Sequence, residues 1–257
     1  MKEKEVNSNI LTYFKNIFLF WLLLATILFS PGNVTGQSPY RLNGLGDGIF
    51  SGASIGLLTF GRAKYKKIQP LTMEEINKLS REDLFGIDRP ATYQHSLSSK
   101  KWSDYALRTS FVMPFSMLAG ERSRKDFGRA GLITLETILL NTALTDVAKV
   151  LAKRTRPLAY NESFGMPEKM MKNTRTSFFS GHTSSVAAMY FLTAKLYSDY
   201  YPDSKIKPVV WTVAVLVPAT TGYLRIKAGK HYFTDVLAGF VVGAAVGLLV
   251  PELHRVR

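Results

Sequence analysis

The stretch VLAGFVVGAAVGLLV, residues 236–250, is apolar throughout and sets Gly239, Gly243 and Gly247 at every fourth position. Fifteen apolar residues in a row are too many for an ordinary strand, and a four-residue spacing puts the glycines on one face of a helix. Five more apolar stretches precede it: Ile49 to Phe60, Leu107 to Ala119, Leu132 to Ala148, Val186 to Leu196 and Val209 to Ala219. Strand-type alternation is rare between them. The pattern predicts an all-α bundle of about six helices, with long polar connections at 62–104 and from Pro157 to Ser177. Small faces such as Gly239/Gly243/Gly247, and Gly52 with Gly56, let helix backbones approach closely, in a membrane or in a soluble bundle alike.

Three polar stretches interrupt this apolar background: Lys149-x6-Arg156-Pro157, Ser180-Gly181-His182 and Arg225-x5-His231-x3-Asp235. Pro157 is expected to stop the helix that carries Lys149 and Arg156. Ser180 is a natural N-cap of the next helix. Arg225 follows the helix after that, and His231 opens the last one. In an up-and-down bundle these four positions fall at one end, so the three stretches meet there. His231 and Asp235, four apart, would share a helix face, letting the carboxylate hold one imidazole tautomer. His231 is then the better nucleophile, and His182 the acid and base. Lys149, Arg156 and Arg225 would neutralise oxygens of a phosphoryl group, while Ser180 and Gly181 offer free backbone N–H groups at a helix start. Taken singly, each stretch reads as a surface pair, a cap or a basic helix end. Their joint occurrence is what points to chemistry.

The order and spacing resemble the signature of the type 2 phosphatidic acid phosphatase and vanadium-dependent haloperoxidase superfamily, which reads K-x6-RP, PSGH and SR-x5-H-x3-D. Phe179 stands where the family usually has proline, and Leu224 where it usually has serine. The resemblance runs from Lys149 to Asp235 and implies a helical phosphatase whose intermediate is a phosphohistidine. It implies the same roles for the residues named above. No metal ligand set accompanies the motifs, and three cations can do the work of a metal clamp. No cofactor is therefore expected, although vanadate would fit the site as a phosphate mimic. A haloperoxidase, or a non-catalytic membrane protein that binds lipid headgroups, are the competing readings. Headgroup binding would need the cations alone, not both histidines and Asp235.

Composition bounds the rest. The 257-residue chain has no cysteine, which excludes disulfides, thiolate metal sites and a cysteine nucleophile. A net charge of +14 suits nucleic acid, an anionic membrane or a phosphorylated substrate. No nucleic-acid-binding motif accompanies it, and Lys149, Lys153, Arg154, Arg156, Lys169, Lys172 and Arg175 cluster beside the motifs, favouring a phosphorylated lipid or small phosphate ester. Residues 1–36 carry basic residues, a short apolar run and then Pro31, Gly32 and Gly36, the order of an export signal or anchor. Residues 37–104 read as an N-terminal helix and polar loops packed on the bundle, and 105–257 as the phosphatase domain. A mean hydropathy of only +0.03 leaves membrane spanning open. An export signal, and basic connections at Arg122 to Arg129 and Arg255 to Arg257, place the motif end outside the cytoplasm, in the cell envelope. His95 and His254 match no motif.

Overall fold

The computed structural model describes residues 38–256. The expectation for the leader lies outside them. Six helices of 14 residues or more form the bundle: α1 (Gly44–Lys66), α3 (Leu97–Ser110), α5 (Phe127–Ala152), α7 (Gly181–Tyr200), α8 (Lys207–Lys227) and α9 (Phe233–Leu253). Short helices α2 (Met73–Asn77), α4 (Glu121–Lys125) and α6 (Met166–Lys169) lie in the connections. The described residues form no strand ladder, only an isolated bridge between Tyr40 and Arg255.

The bundle is organised around α7, which packs on α9, α8, α5 and α3. Its sequence explains this. Val186, Ala187, Ala188, Leu192, Ala194 and Leu196 are fully buried and distributed around the helix, so neighbours must surround it. Met189, Leu192 and Leu196 pack with Ile133 of α5 and Val246 and Val250 of α9. On the other flank Phe191 meets Trp211 of α8 and Phe240 of α9 edge-on.

The α7/α9 contact depends on the glycines singled out in the sequence. A Cβ at Gly239 would stand 2.6 Å from the Ser180 carbonyl oxygen, and one at Gly247 2.5 Å from that of Ala188. At Gly243 it would overlap the Ser184 carbonyl. The two backbones therefore touch along three turns. Gly52 and Gly56 do the opposite: nothing lies within 4 Å of a Cβ at either, so their face is open.

Three segments are long and apolar enough to cross a bilayer: Phe127–Tyr160, Lys207–Lys227 and Phe233–Leu253. The outward faces of the last two are apolar too, with Val209, Val213, Leu216, Leu237, Val241 and Leu249 exposed. A surface of that kind is not tolerated in water and marks a membrane protein.

Several element boundaries differ from the sequence reading. The stretch Leu107 to Ala119 is not one helix: α3 ends at Ser110, and Met113–Ala119, with Pro114 at its start, is a 3₁₀ turn. α5 ends at Ala152 rather than at Pro157, because Lys153 adopts a left-handed conformation with φ 45°. Arg156 is already extended, as a residue before proline must be. Arg225 lies inside the last turn of α8, and His231 precedes α9.

Candidate active site

The end of the bundle that carries the three motifs is tied together by the backbone. Ser180 N–H donates to the Asp235 carbonyl at 2.9 Å, joining the start of α7 to the first turn of α9. Ser177 N–H donates to the Arg154 carbonyl at 2.9 Å and Arg156 N–H to that of Thr174 at 2.8 Å, folding the long connection back on α5. Ser180 caps α7, its Oγ accepting from Thr183 N–H at 3.4 Å.

Positive charge converges here, and part of it has no carboxylate within ion-pair distance. A Cβ on Gly181 would lie 3.2 Å from Lys149 Nζ, so the ammonium rests against the N-terminus of α7. A helix start carries partial positive charge of its own. Arg156, buried, is held by carbonyls alone: Asn173 at 2.7 Å, Lys230 at 3.3 Å and Thr176 at 3.4 Å. Buried Arg225 reaches Ser103 Oγ and Asp104 Oδ1, each at 3.3 Å, while its Nε has no partner. Among the described residues neither Lys149 nor Arg156 forms an ion pair. Such an arrangement can accept an anion.

His231 is fully buried beside these cations. Its Nδ1 stands 3.5 Å from Asp235 Oδ2, which leaves Nε2 as the outward nitrogen. Burial, followed by the charge of Arg156, holds its pKa well below the ordinary histidine value, although Asp235 pulls the other way. The imidazole is therefore neutral near pH 7, the form a nucleophile needs. The contact with Asp235 was expected from a shared helix face. It is made instead from the residue before the N-cap, with Asp235 at the third position of α9.

Asp235 itself is saturated. Oδ2 accepts from Ser177 Oγ at 2.5 Å and Tyr232 N–H at 3.0 Å, and Oδ1 from Arg154 at 2.6 Å. Arg154 also binds Asp88 Oδ2 at 2.6 Å, and Asp88 accepts from the N–H and hydroxyl of Thr234 at 3.0 and 2.7 Å. Arg154 is thus a strut between two carboxylates rather than part of a free basic surface. Arg175 is likewise taken by Glu75 at 2.5 Å, and Lys172 by the Lys66 carbonyl at 3.2 Å. The basic cluster of the sequence is smaller in space than in the chain.

His182, second residue of α7, meets a partner that the motifs do not contain: its Nε2 lies 2.8 Å from Asp104 Oδ1. Burial and Arg225 push the imidazole down to about 4, and Asp104 opposes them. Asp104 and Asp88 both come from the region before residue 105. In the sequence Asp104 looks like one half of a surface pair with Lys100, four residues back, and that pair does form at 3.8 Å. Asp88 precedes Arg89-Pro90 and looks like a turn. Neither carries a signal of its own.

The model of the PAP2 superfamily matches residues 130–257, half of the chain and the half that contains every motif residue. The chain belongs to the PAP2 superfamily. Curated relatives include phosphatidylglycerophosphatase B of Bacillus subtilis, 29% identical over 150 residues, which are 55% of this chain and 67% of that protein. A lipid A 4'-phosphatase of Porphyromonas gingivalis is 22% identical over 160 residues, 62% of this chain and 64% of that one. The chain thus aligns to about two thirds of the length of these relatives. The crystal structure of a transmembrane PAP2-type phosphatidylglycerolphosphate phosphatase from Bacillus subtilis aligns over 93% of this chain and 94% of its own, at a TM-score of 0.45 and 21% identity.

Proposed function

We propose that this PAP2 protein is a phosphatase that removes a phosphate or pyrophosphate group from a lipid through a phosphohistidine. The observation that carries the reading is buried Arg156 and half-buried Lys149, neither ion-paired with a carboxylate among the described residues, beside a neutral His231 whose carboxylate partner is fixed from three sides. In the first step His231 Nε2 bonds to phosphorus, the bond to the leaving oxygen breaks, and His182, protonated once the phosphate anion lies beside it and raises its pKa, gives that oxygen its proton. Water then attacks phosphorus, His182 takes the water's proton, and the N–P bond breaks to release phosphate. Lys149, Arg156, Arg225 and the α7 N–H groups stabilise the equatorial oxygens as charge develops. Asp235 and Asp104 act as positioning residues for the two histidines.

A lipid substrate is supported by the exposed apolar faces of α8 and α9 and by the relatives, two of which are named for lipid phosphates. The active end faces the non-cytoplasmic side, a reading supported by the basic far-end connection Arg122 to Arg129. Three cations replace a metal clamp, so turnover per folded molecule survives a strong chelator, and vanadate inhibits.

The test is to expose purified protein briefly to phosphatidate, a prenyl pyrophosphate, lipid A phosphate and a soluble ester, each labelled on phosphorus. One of them should leave acid-labile label on the wild type. His231→Ala should lose both label and turnover while its melting temperature stays near that of the wild type. Normal turnover by His231→Ala would remove the assignment.

A further inference from the structure

At the end of the bundle away from the motifs, three side chains from three elements point at one spot: Asp47 of α1, Glu136 of α5 and His254, which follows α9. His254 Nε2 lies 3.0 Å from Glu136 Oε2 and 3.2 Å from Asp47 Oδ1. All three converging atoms lie within 4.8 Å of one another. Glu136 is fully buried in a segment apolar enough to cross a membrane, where an ionisable group is costly unless it has a task.

Each of the three has its other polar atom already engaged. His254 Nδ1 is 2.8 Å from the Val250 carbonyl, which fixes the N–H there and leaves the Nε2 lone pair facing inward. Glu136 Oε1 accepts from Ser51 Oγ at 3.3 Å. Asp47 Oδ2 accepts from Asn43 N–H at 3.0 Å. The inward-facing atoms are therefore one imidazole nitrogen and two carboxylate oxygens, oriented by a second layer of partners as metal ligands are. Glu136 Oε2 is buried and accepts no hydrogen bond. A neutral imidazole would set its lone pair against two carboxylates, so a positive charge must lie between them. A single proton would leave the buried group one negative charge in excess. A divalent ion would cancel both carboxylates.

The geometry points to a structural divalent metal site, Asp47/Glu136/His254, taking Zn2+ or a similar first-row ion at the far end of the bundle. The donor set of one imidazole and two carboxylates suits such ions. The observed spacings of 3.0 and 3.2 Å fall close to the ~3.3 Å edge of a tetrahedron built on ~2.0–2.1 Å bonds. Glu136 and Lys149 are separated by about 20 Å of helix, at ~1.5 Å per residue, so the ion would not touch the phosphate site. Its role would be to clamp α1 and the chain after α9 onto α5.

The experiment uses full-length protein without an affinity tag, in detergent, stripped with chelator, reloaded with Zn2+ or Mn2+ and passed through a desalting column. Elemental analysis should find about one Zn2+ per chain, and saturating Zn2+ should raise Tm by roughly 5–10 °C. Asp47→Asn, close in shape and with a side chain only 14% exposed, should bind at least ~10-fold more weakly and lose that rise. His254→Ala should do the same. A wild type that retains no metal and melts at the same temperature with and without Zn2+ overturns the proposal. So does full binding by Asp47→Asn. Neither outcome bears on the phosphohistidine, since no turnover is read.

Discussion

On the proposed mechanism, Asp104→Asn should separate the acid step from the rest of the reaction. Asparagine keeps an oxygen where Asp104 Oδ1 stands 2.8 Å from His182 Nε2, so packing is preserved and only charge is lost. A charge-assisted hydrogen bond contributes about 1.5–3 kcal/mol and a neutral one about 0.5–1.5, a difference of about 1–1.5. The Asp104 side chain is 30% exposed, so solvent screening favours the lower end. About 1 kcal/mol corresponds to roughly 0.7 pKa unit and a factor of about 5. Because Asp104 raises the His182 pKa, its loss lowers it, and the basic limb of the pH–rate profile should move to lower pH by that amount. Turnover of an alkyl phosphate, whose leaving oxygen needs a proton, should fall about 5-fold, and that of p-nitrophenyl phosphate less than about 2-fold. KM should not rise, since Arg225 loses a competing carboxylate at 3.3 Å. Equal losses on both esters, or an unmoved limb, would show that Asp104 does not act through His182.

Three further outcomes follow from the same contacts. The low pKa of His231 keeps it unprotonated on the acid side of neutrality, so the acid limb of kcat/KM should lie below the ordinary value of about 6.5, and a pH titration of initial rates checks this. Asp88→Asn uncouples Arg154 from a buried carboxylate. With Arg154 partly exposed the cost should be about 2–3 kcal/mol, read as a lower Tm together with reduced turnover. Gly243→Ala drives a methyl group into the Ser184 carbonyl and should cost about 1–3 kcal/mol, whereas Gly52→Ala, facing open space, should be neutral or stabilising by up to about 1 kcal/mol. Thermal unfolding of the pair in one detergent tests the contrast.

The fold was legible where the signal was periodic. Five of the six apolar stretches lie within long helices, and the Gly239/Gly243/Gly247 face does pack backbone to backbone. Leu107 to Ala119 misled because Pro114 allows only a 3₁₀ turn there, and the amphipathic α3 before it has no long apolar run to announce it. Gly52 and Gly56 show the limit of a small-residue face: spacing states that a close approach is possible, not that a partner is present. At the candidate site the motif residues could be read because their types are rare together. Asp88 and Asp104 could not, since a carboxylate in a turn or paired with a lysine four residues away is ordinary until tertiary contacts select it, and Arg154 could be read as basic but not as a strut. His254 was set aside for the same reason, its two carboxylate neighbours lying 118 and 207 residues away in the chain.

The strut from Asp88 through Arg154 to Asp235 means that the two halves of this sequence are not interchangeable parts. The half that carries the family signature ends its support of Asp235 at an arginine, and the counterweight to that arginine comes from outside the signature. A hybrid that joins this C-terminal half to the first half of another PAP2 protein would keep every motif residue and still lose its tuning unless an acid arrived under Arg154. Change in the first half would therefore alter the surroundings of Asp235 in an untouched second half, through a contact that the signature does not contain.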